Sequence, residues 1–163
     1  MSIISIKRVE STDVNEQLVK QLSQVLTYSE PENFEDCVKW WESWFSDKIP
    51  GDKFTIIAEE QNNIIGVTRF WKTPFCNNKW LIEGLEVIPP ERRKGVGKSI
   101  VIKGIHILRN TTKENIFVHI SNKNIASIKL HEGIGFKKIS NGSINSYGEF
   151  RKNMDEYLLE TLM

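Results

Sequence analysis

Between Glu91 and Ile105 the chain reads ERRKGVGKSIVIKGI. Three cations, Arg92, Arg93 and Lys94, run directly into Gly95-Val96-Gly97 and Lys98-Ser99. Beyond them Val96, Ile100, Val101, Gly104, Ile105 and Leu108 recur at helical spacing, which predicts a helix from about Gly95 to Arg109 with one inward face. The first N–H groups of such a helix have no intrahelical acceptor, and its dipole adds positive potential at that end. Glycines at 95 and 97 let the backbone approach a ligand closely. Together these features make an anion cradle. The alternative is a solvated basic turn with a glycine-assisted helix start. Gly97-Lys98-Ser99 reads like the end of a nucleotide P-loop, but the glycine required five residues earlier is Arg92. The dinucleotide fingerprint also fails, because Ile100 stands where its third glycine belongs.

The cradle needs a strand before it and a helix after it, and the chain supplies both. Trp80 to Val87 predicts a strand that Pro89-Pro90 stops. Upstream, Ile3 to Val9 alternates as a strand, and Asp13 is a candidate cap for a helix running to about Ser29. A second helix is expected from about Phe34 to Ser46. FTIIAEEQNNIIGVTRFW predicts a hairpin around Gln61-Asn62-Asn63. Downstream come a strand at Ile116 to Ile120, a helix at Lys123 to Glu132 and a strand at Phe136 to Ile139. The tail from Ser146 to Leu159 mixes strand and helix signals. The order is roughly β-α-α-β-β-β-α-β-α-β-(β), a mixed α/β (α+β) domain over residues 1–163.

The totals agree with one such domain. A chain of 163 residues can bury a full core without staples. Lys plus Arg number 22 against 21 Asp plus Glu, so a net charge of +1 gives no reason to expect a nucleic-acid or membrane partner. No apolar run approaches the roughly 18 residues needed to span a bilayer. Cys37 and Cys76 are too few for a disulfide framework or a zinc site, so no metal and a cytoplasmic setting are expected. Cys76, in TPFCNN, lacks a base in reach and reads as an inert thiol. His106 and His119 have no ligand-spaced partner.

LEVIPPERRKGVGKSIVIKGI resembles the acetyl-CoA signature of the GNAT N-acetyltransferases, with Arg92, Gly95 and Gly97 at its three fixed positions. About thirty residues on, NIASIKLHEGIGF, from Asn124 to Phe136, is similar to that family's second hallmark. The resemblance covers nearly the whole chain. It implies a GNAT fold: a mixed sheet of about six to seven strands with a splayed parallel pair, flanked by about four helices. It also implies acetyl-CoA as donor, direct transfer to a primary amine in a ternary complex, and a diphosphate held by Arg92 to Ser99. Backbone groups near Leu85, Glu86 and Val87 would pair with the pantetheine arm, and Asn124, Ser127 and His131 would line it. The acceptor is expected to be a small molecule. A protein or peptide amine and a non-catalytic acyl-CoA sensor are the alternatives, and a homodimer is left open.

Acetylation of an amine needs a base for the nucleophile and stabilisation of the departing thiolate. On WLIEGLEV, period-two geometry puts Leu81, Glu83, Leu85 and Val87 on one face, where burial would raise the pKa of Glu83 toward that of a working base. The family resemblance points to the same residue. Its plain alternative is a carboxylate paired with a Lys or Arg. Gly84 is a candidate bulge that would redirect these side chains, so Glu86 is the reserve base. Asn124, Ser127 and His131 lie on one helical stripe. Many members of the family have Tyr at the position of His131, which implies that an imidazolium here is the acid; the alternative is that His131 only packs. For the acceptor, the resemblance points to the first two helices, where Glu30, Glu32, Glu35 and Asp36 would attract an amine. Trp40 and Trp44 read as a core stripe, leaving Trp41 and Trp71 more open to the pocket.

Overall fold

The structure is a computed structural model and describes residues 2–161. Nine strands and four α-helices form within that span: β1 (Ile4–Arg8), α1 (Glu16–Leu26), α2 (Phe34–Trp44), β2 (Lys53–Glu60), β3 (Asn63–Thr73), β4 (Lys79–Val87), α3 (Val96–Arg109), β5 (Ile116–Ser121), α4 (Ile125–Ile134), β6 (Lys137–Ser140), β7 (Ser143–Ile144), β8 (Phe150–Arg151) and β9 (Met154–Leu159). Seven of the strands make one sheet in the order β1-β2-β3-β4-β5-β9-β6, and β7 pairs with β8 separately. Every neighbour in the large sheet is antiparallel except β4 and β5.

Local chemistry explains most boundaries. The β2–β3 turn places Gln61 and Asn62 at φ 52° and 66°, the left-handed pair that a tight hairpin requires. Helix α1 is capped by Asn15, whose Oδ1 accepts from Leu18 N–H at 2.8 Å. The expected cap, Asp13, belongs instead to a short 3-10 turn, accepting from Glu10 N–H at 2.8 Å. Asn124 caps α4 by accepting from Ser127 N–H at 3.1 Å. The ambiguous tail resolves as strands. β9 lies antiparallel between β5 and β6, so its backbone groups are paired on both sides.

Two apolar layers cover the sheet. On one face, α3 buries Val96, Ile100, Val101 and Leu108 against Phe54, Phe70, Trp80 and Ile82, with Ile128, Leu130 and Ile134 of α4 packed alongside. On the other, α1 and α2 bury Leu22, Val25, Trp41 and Trp44 against Ile57, Val67 and Trp71. Trp44 donates to Thr55 Oγ1 at 2.8 Å and Trp71 to Pro50 O at 2.7 Å, so both indole N–H groups are satisfied. Trp41 and Trp71, read from sequence as the open pair, are fully buried, and Trp40, read as core, is only half-buried. Among the described residues no helix is long and apolar enough to cross a membrane.

Gly104 fixes how closely α3 approaches the sheet. A Cβ there would overlap the ring of Phe70, which is stacked on Phe54 at 4.9 Å between centroids. Alanine in a helix interior normally gains about 1 kcal/mol over glycine. At this position the overlap dominates, and Gly104→Ala is expected to lose about 1–3 kcal/mol net. The midpoint of urea unfolding checks this; a midpoint equal to or above that of the parent would contradict it.

Candidate active site

The parallel pairing of β4 with β5 covers only Trp80 to Ile82 against Ile116 to Val118. From Glu83 onward the β5-facing edge of β4 has no strand beside it. A cleft of about 320 Å³ opens there, lined among others by Glu83, Leu85, His119, Asn124, Ser127 and His131.

A bulge accompanies the opening. Arg69 pairs with Glu83 and Val67 with Glu86, so Gly84 and Leu85 together stand opposite Thr68. Gly84 takes φ 61°, and a Cβ there would collide with the Arg69 guanidinium. Thr68 Oγ1 donates to Glu83 O at 3.0 Å and holds the distortion in place. The extra residue reverses the strand's parity. Leu85 and Val87 face α3, while Glu83 stays with Arg69 on the α1/α2 face. Leu81, Glu83, Leu85 and Val87 therefore do not share a face. The neighbour of Glu83 is a cation: Arg69 Nη1 lies 3.9 Å from its Oε2.

Glu86 takes a different position. Its Oε1 accepts from Arg92 Nη2 at 2.6 Å, and Arg92 Nε donates to Val87 O at 2.8 Å. The first cation of the glycine loop thus ties the loop to the end of β4, and Glu86 is committed to that tie. Beyond it, Arg93 and Gly95 adopt φ 64° and 81°. Arg92 N–H bonds Pro89 O and Ser99 N–H bonds Gly95 O. Among the described residues the backbone amides from 93 to 98 have no recorded acceptor. Arg93, Lys94, Lys98 and Ser99 are exposed around them, and a Cβ built on Gly95 would meet nothing within 4 Å. Gly97 packs tightly instead, since a Cβ there would sit 3.2 Å from Leu130 and 3.9 Å from Leu85. That contact joins the loop to α4 and the cleft.

On α4, Asn124, Ser127 and His131 face the cleft together, as their spacing predicts. His131 is buried, with Nδ1 2.8 Å from Ser127 O and 3.3 Å from Ser127 Oγ. A carbonyl only accepts, so Nδ1 carries the proton and Nε2 is left as an acceptor. That Nε2 is buried without a partner. Burial pushes the ring's pKa below its ordinary value, and the bond to Ser127 opposes it only in part. A standing imidazolium, the acid expected from sequence, does not fit this ring.

Sequence reading missed Arg69, His119 and Ser121, which also line the cleft. The signal for Arg69 was one cation inside the apolar run IIGVTRFW. His119 Nε2 lies 2.8 Å from Glu156 Oε2, which Lys79 also contacts at 3.2 Å. Those partners come from β9 and β4, distant in sequence. The acidic residues Glu30, Glu32, Glu35 and Asp36 are exposed and do not line the cleft.

The model of the acetyltransferase (GNAT) family matches residues 15–136. This chain belongs to the GNAT family. Among solved structures it is similar to an aminoglycoside 6'-acetyltransferase type Ii, at 17% identity and TM-score 0.75 over 98% of each chain. It is also similar to an N-acetyltransferase from Staphylococcus aureus Mu50, at 19% identity and TM-score 0.69 over 99% of this chain and 100% of that one. A third is yncA from Salmonella typhimurium, solved with its cofactor acetyl-CoA, at 18% identity and TM-score 0.68 over 99% and 96%. A search of curated proteins finds no match to the sequence. Membership makes the chain an acyltransferase of the type that uses acetyl-CoA. Its sheet, with one parallel pair and four helices, has the architecture of that fold.

The His131 geometry has a consequence in solution. Stability contributed by a histidine held neutral in the fold is complete above the unfolded pKa of about 6.5. It is lost as pH falls toward the lowered folded value, because the unfolded chain then takes up the proton first. An NMR titration of the ring is expected to show His131 still neutral at pH about 6.5, and a midpoint at or above that value would contradict the assignment.

Proposed function

We propose that this chain transfers the acetyl group of acetyl-CoA directly to the primary amine of a small molecule, within a ternary complex. The observation that carries the reading is the adjacency of the glycine loop to the cleft. The loop at 93–98 offers unpartnered amides beside exposed cations, and it joins through Gly97 and Leu85 to a cleft holding Glu83. The acetyltransferase unit takes in the whole seven-stranded sheet from β1 to β9.

The residues fit the donor. A diphosphate suits backbone N–H groups at a helix N-terminus, with Arg93, Lys94, Lys98 and Ser99 around it. Arg92 holds the loop in place and retains donors of its own. The unpaired edge at Glu83 to Val87 suits an extended amide-bearing arm, which adds like a strand, with Asn124 and Ser127 on the opposite wall. When bound, acetyl-CoA supplies a thioester carbonyl and a thiolate leaving group.

Glu83 is the base in this reading, and Glu86 is not, because Arg92 occupies its carboxylate. Glu83 takes a proton from the incoming ammonium. The nitrogen lone pair then forms the C–N bond as the C–S pair departs with sulfur. Of the two protons the ammonium sheds, one leaves through Glu83 to solvent and the other ends on the thiol. His131 offers Nε2 as a hydrogen-bond acceptor and orients the donor rather than supplying a standing acid. A direct route is supported by Cys76, which is buried, donates to Ile144 O at 3.3 Å and has its pKa raised by burial. Cys37 and Cys76 are both free, which suits a cytoplasmic protein.

Two measurements test this. Acetyl-CoA at about 100 times its Kd is expected to stabilise the fold by about 2.7 kcal/mol, read as a raised melting temperature. Glu83→Gln is expected to lower kcat by about 10²-fold or more with the Kd for acetyl-CoA unchanged. Full activity in Glu83→Gln, or greater loss in Glu86→Gln, would move the base. A protein that binds acetyl-CoA but never releases thiol would be a sensor instead.

A further inference from the structure

The cleft holds a charged group for which acetyl transfer has no use. Arg69 sits in the middle of β3 on the α1/α2 face, with its side chain only 13% exposed. Its guanidinium carbon lies 4.2 Å from the centroid of Trp40, 5.2 Å from Trp44 and 5.8 Å from Trp41. These rings hold the guanidinium in place by cation–π contact. Its one carboxylate neighbour, Glu83, stands at 3.9 Å, outside hydrogen-bond range. Arg69 Nε is buried without an acceptor. Among the described residues no side chain or carbonyl accepts from the rest of the guanidinium either.

Buried polar groups are nearly always paired, and an unpaired charged donor costs more than a neutral one. Desolvation already draws the pKa of Arg69 below its ordinary value, though the group stays protonated at neutral pH. A planar cation, fixed by three indoles and lining a cleft, suits a planar anion with two oxygens. Beside it stands Glu83, an acceptor of positive charge.

We infer that the acceptor is a small zwitterion, an amine carrying its own carboxylate in the manner of an amino acid. Arg69 binds the carboxylate and Glu83 receives the ammonium. The opposite charges of Arg69 and Glu83, 3.9 Å apart, match the short separation of charges in such a molecule. A polycation such as an aminoglycoside brings positive charge against a buried guanidinium and is disfavoured. This inference rests on the acetyltransferase reading above and narrows it. The chemistry implies a place in metabolism where a free amino acid or close analogue is capped on nitrogen.

The test is thiol release from acetyl-CoA across the common amino acids, each beside its carboxamide and its decarboxylated amine, with kanamycin as the polycation. At least one amino acid is expected to exceed its amide and its amine in kcat/KM by about ten-fold or more, as is usual when a polar site loses its partner group, and to exceed kanamycin. Arg69→Gln is expected to raise KM for that amino acid and to erase its preference over the amide. Its Kd for acetyl-CoA, measured by calorimetry, should stay within about two-fold of the parent, as the carboxylate pair is separate from the donor loop. If Arg69→Gln does not fold, the panel with the parent protein decides alone. Equal or faster turnover of amides, amines or kanamycin overturns the inference, as does acetyl-CoA binding without turnover of any amino acid. If acetyl-CoA does not bind the parent protein at all, the acetyltransferase reading fails and the zwitterion falls with it.

Discussion

One extra residue in β4 governs the site. Without Gly84, β4 would continue its ladder and Glu83 would share a face with Leu85. With Gly84 in the left-handed region, Leu85 and Val87 go to the α3 core and Glu83 stays beside Arg69. The same place marks where β4 loses β5, because parallel pairing ends at Ile82 and Val118. A bulge bends and twists the strand that carries it. Here that bend coincides with an edge open to an extended ligand, next to a carboxylate. Glycine is needed for two reasons: the positive φ, and the guanidinium of Arg69 packed where a Cβ would stand.

The glycine loop and the cleft beside it have opposite electrostatic designs. At the loop, charge is exposed and supplemented by backbone amides, which suits a strongly hydrated, multiply charged diphosphate. Arg92 is the exception, since it is bonded to Glu86 and Val87 and sets the loop's position. In the cleft, charge is buried. Arg69 lies among indoles and Glu83 faces it at a distance too long for a hydrogen bond. His131 follows the same principle, with burial and the Ser127 carbonyl fixing a neutral ring and one tautomer. Low local dielectric makes each of these groups selective about its partner.

The tail completes the sheet beside its short parallel pair. β9 fills the place between β5 and β6, and Glu156 on it joins His119 and Lys79. The β7–β8 hairpin reaches back to the β3–β4 turn, where Thr73 Oγ1 donates to Ser146 O at 2.6 Å. The ends of β3 and β4 are therefore tied to residues more than seventy positions away.

Much of the fold was legible in the residues themselves. The helix at 96–109, the hairpin at Gln61-Asn62 and the strand before Pro89-Pro90 follow from periodicity, turn chemistry and proline, all of which act within a few residues. The glycine loop and the stripe of Asn124, Ser127 and His131 were equally local, since a helix fixes side-chain direction by spacing alone. Contacts across the sheet were not legible. Trp40 and Trp41 differ by one position, and only the docking of α2 decides that one is buried and the other stacks on Arg69. The parity of β4 depended on whether Gly84 bulged, and that bulge is held by Thr68 of the neighbouring strand. By itself the sequence determined the elements and the glycine loop with its cations, because those obey short-range rules. Only the tertiary structure decided which charges meet in the cleft, because burial and pairing are set by residues that the chain brings together from afar.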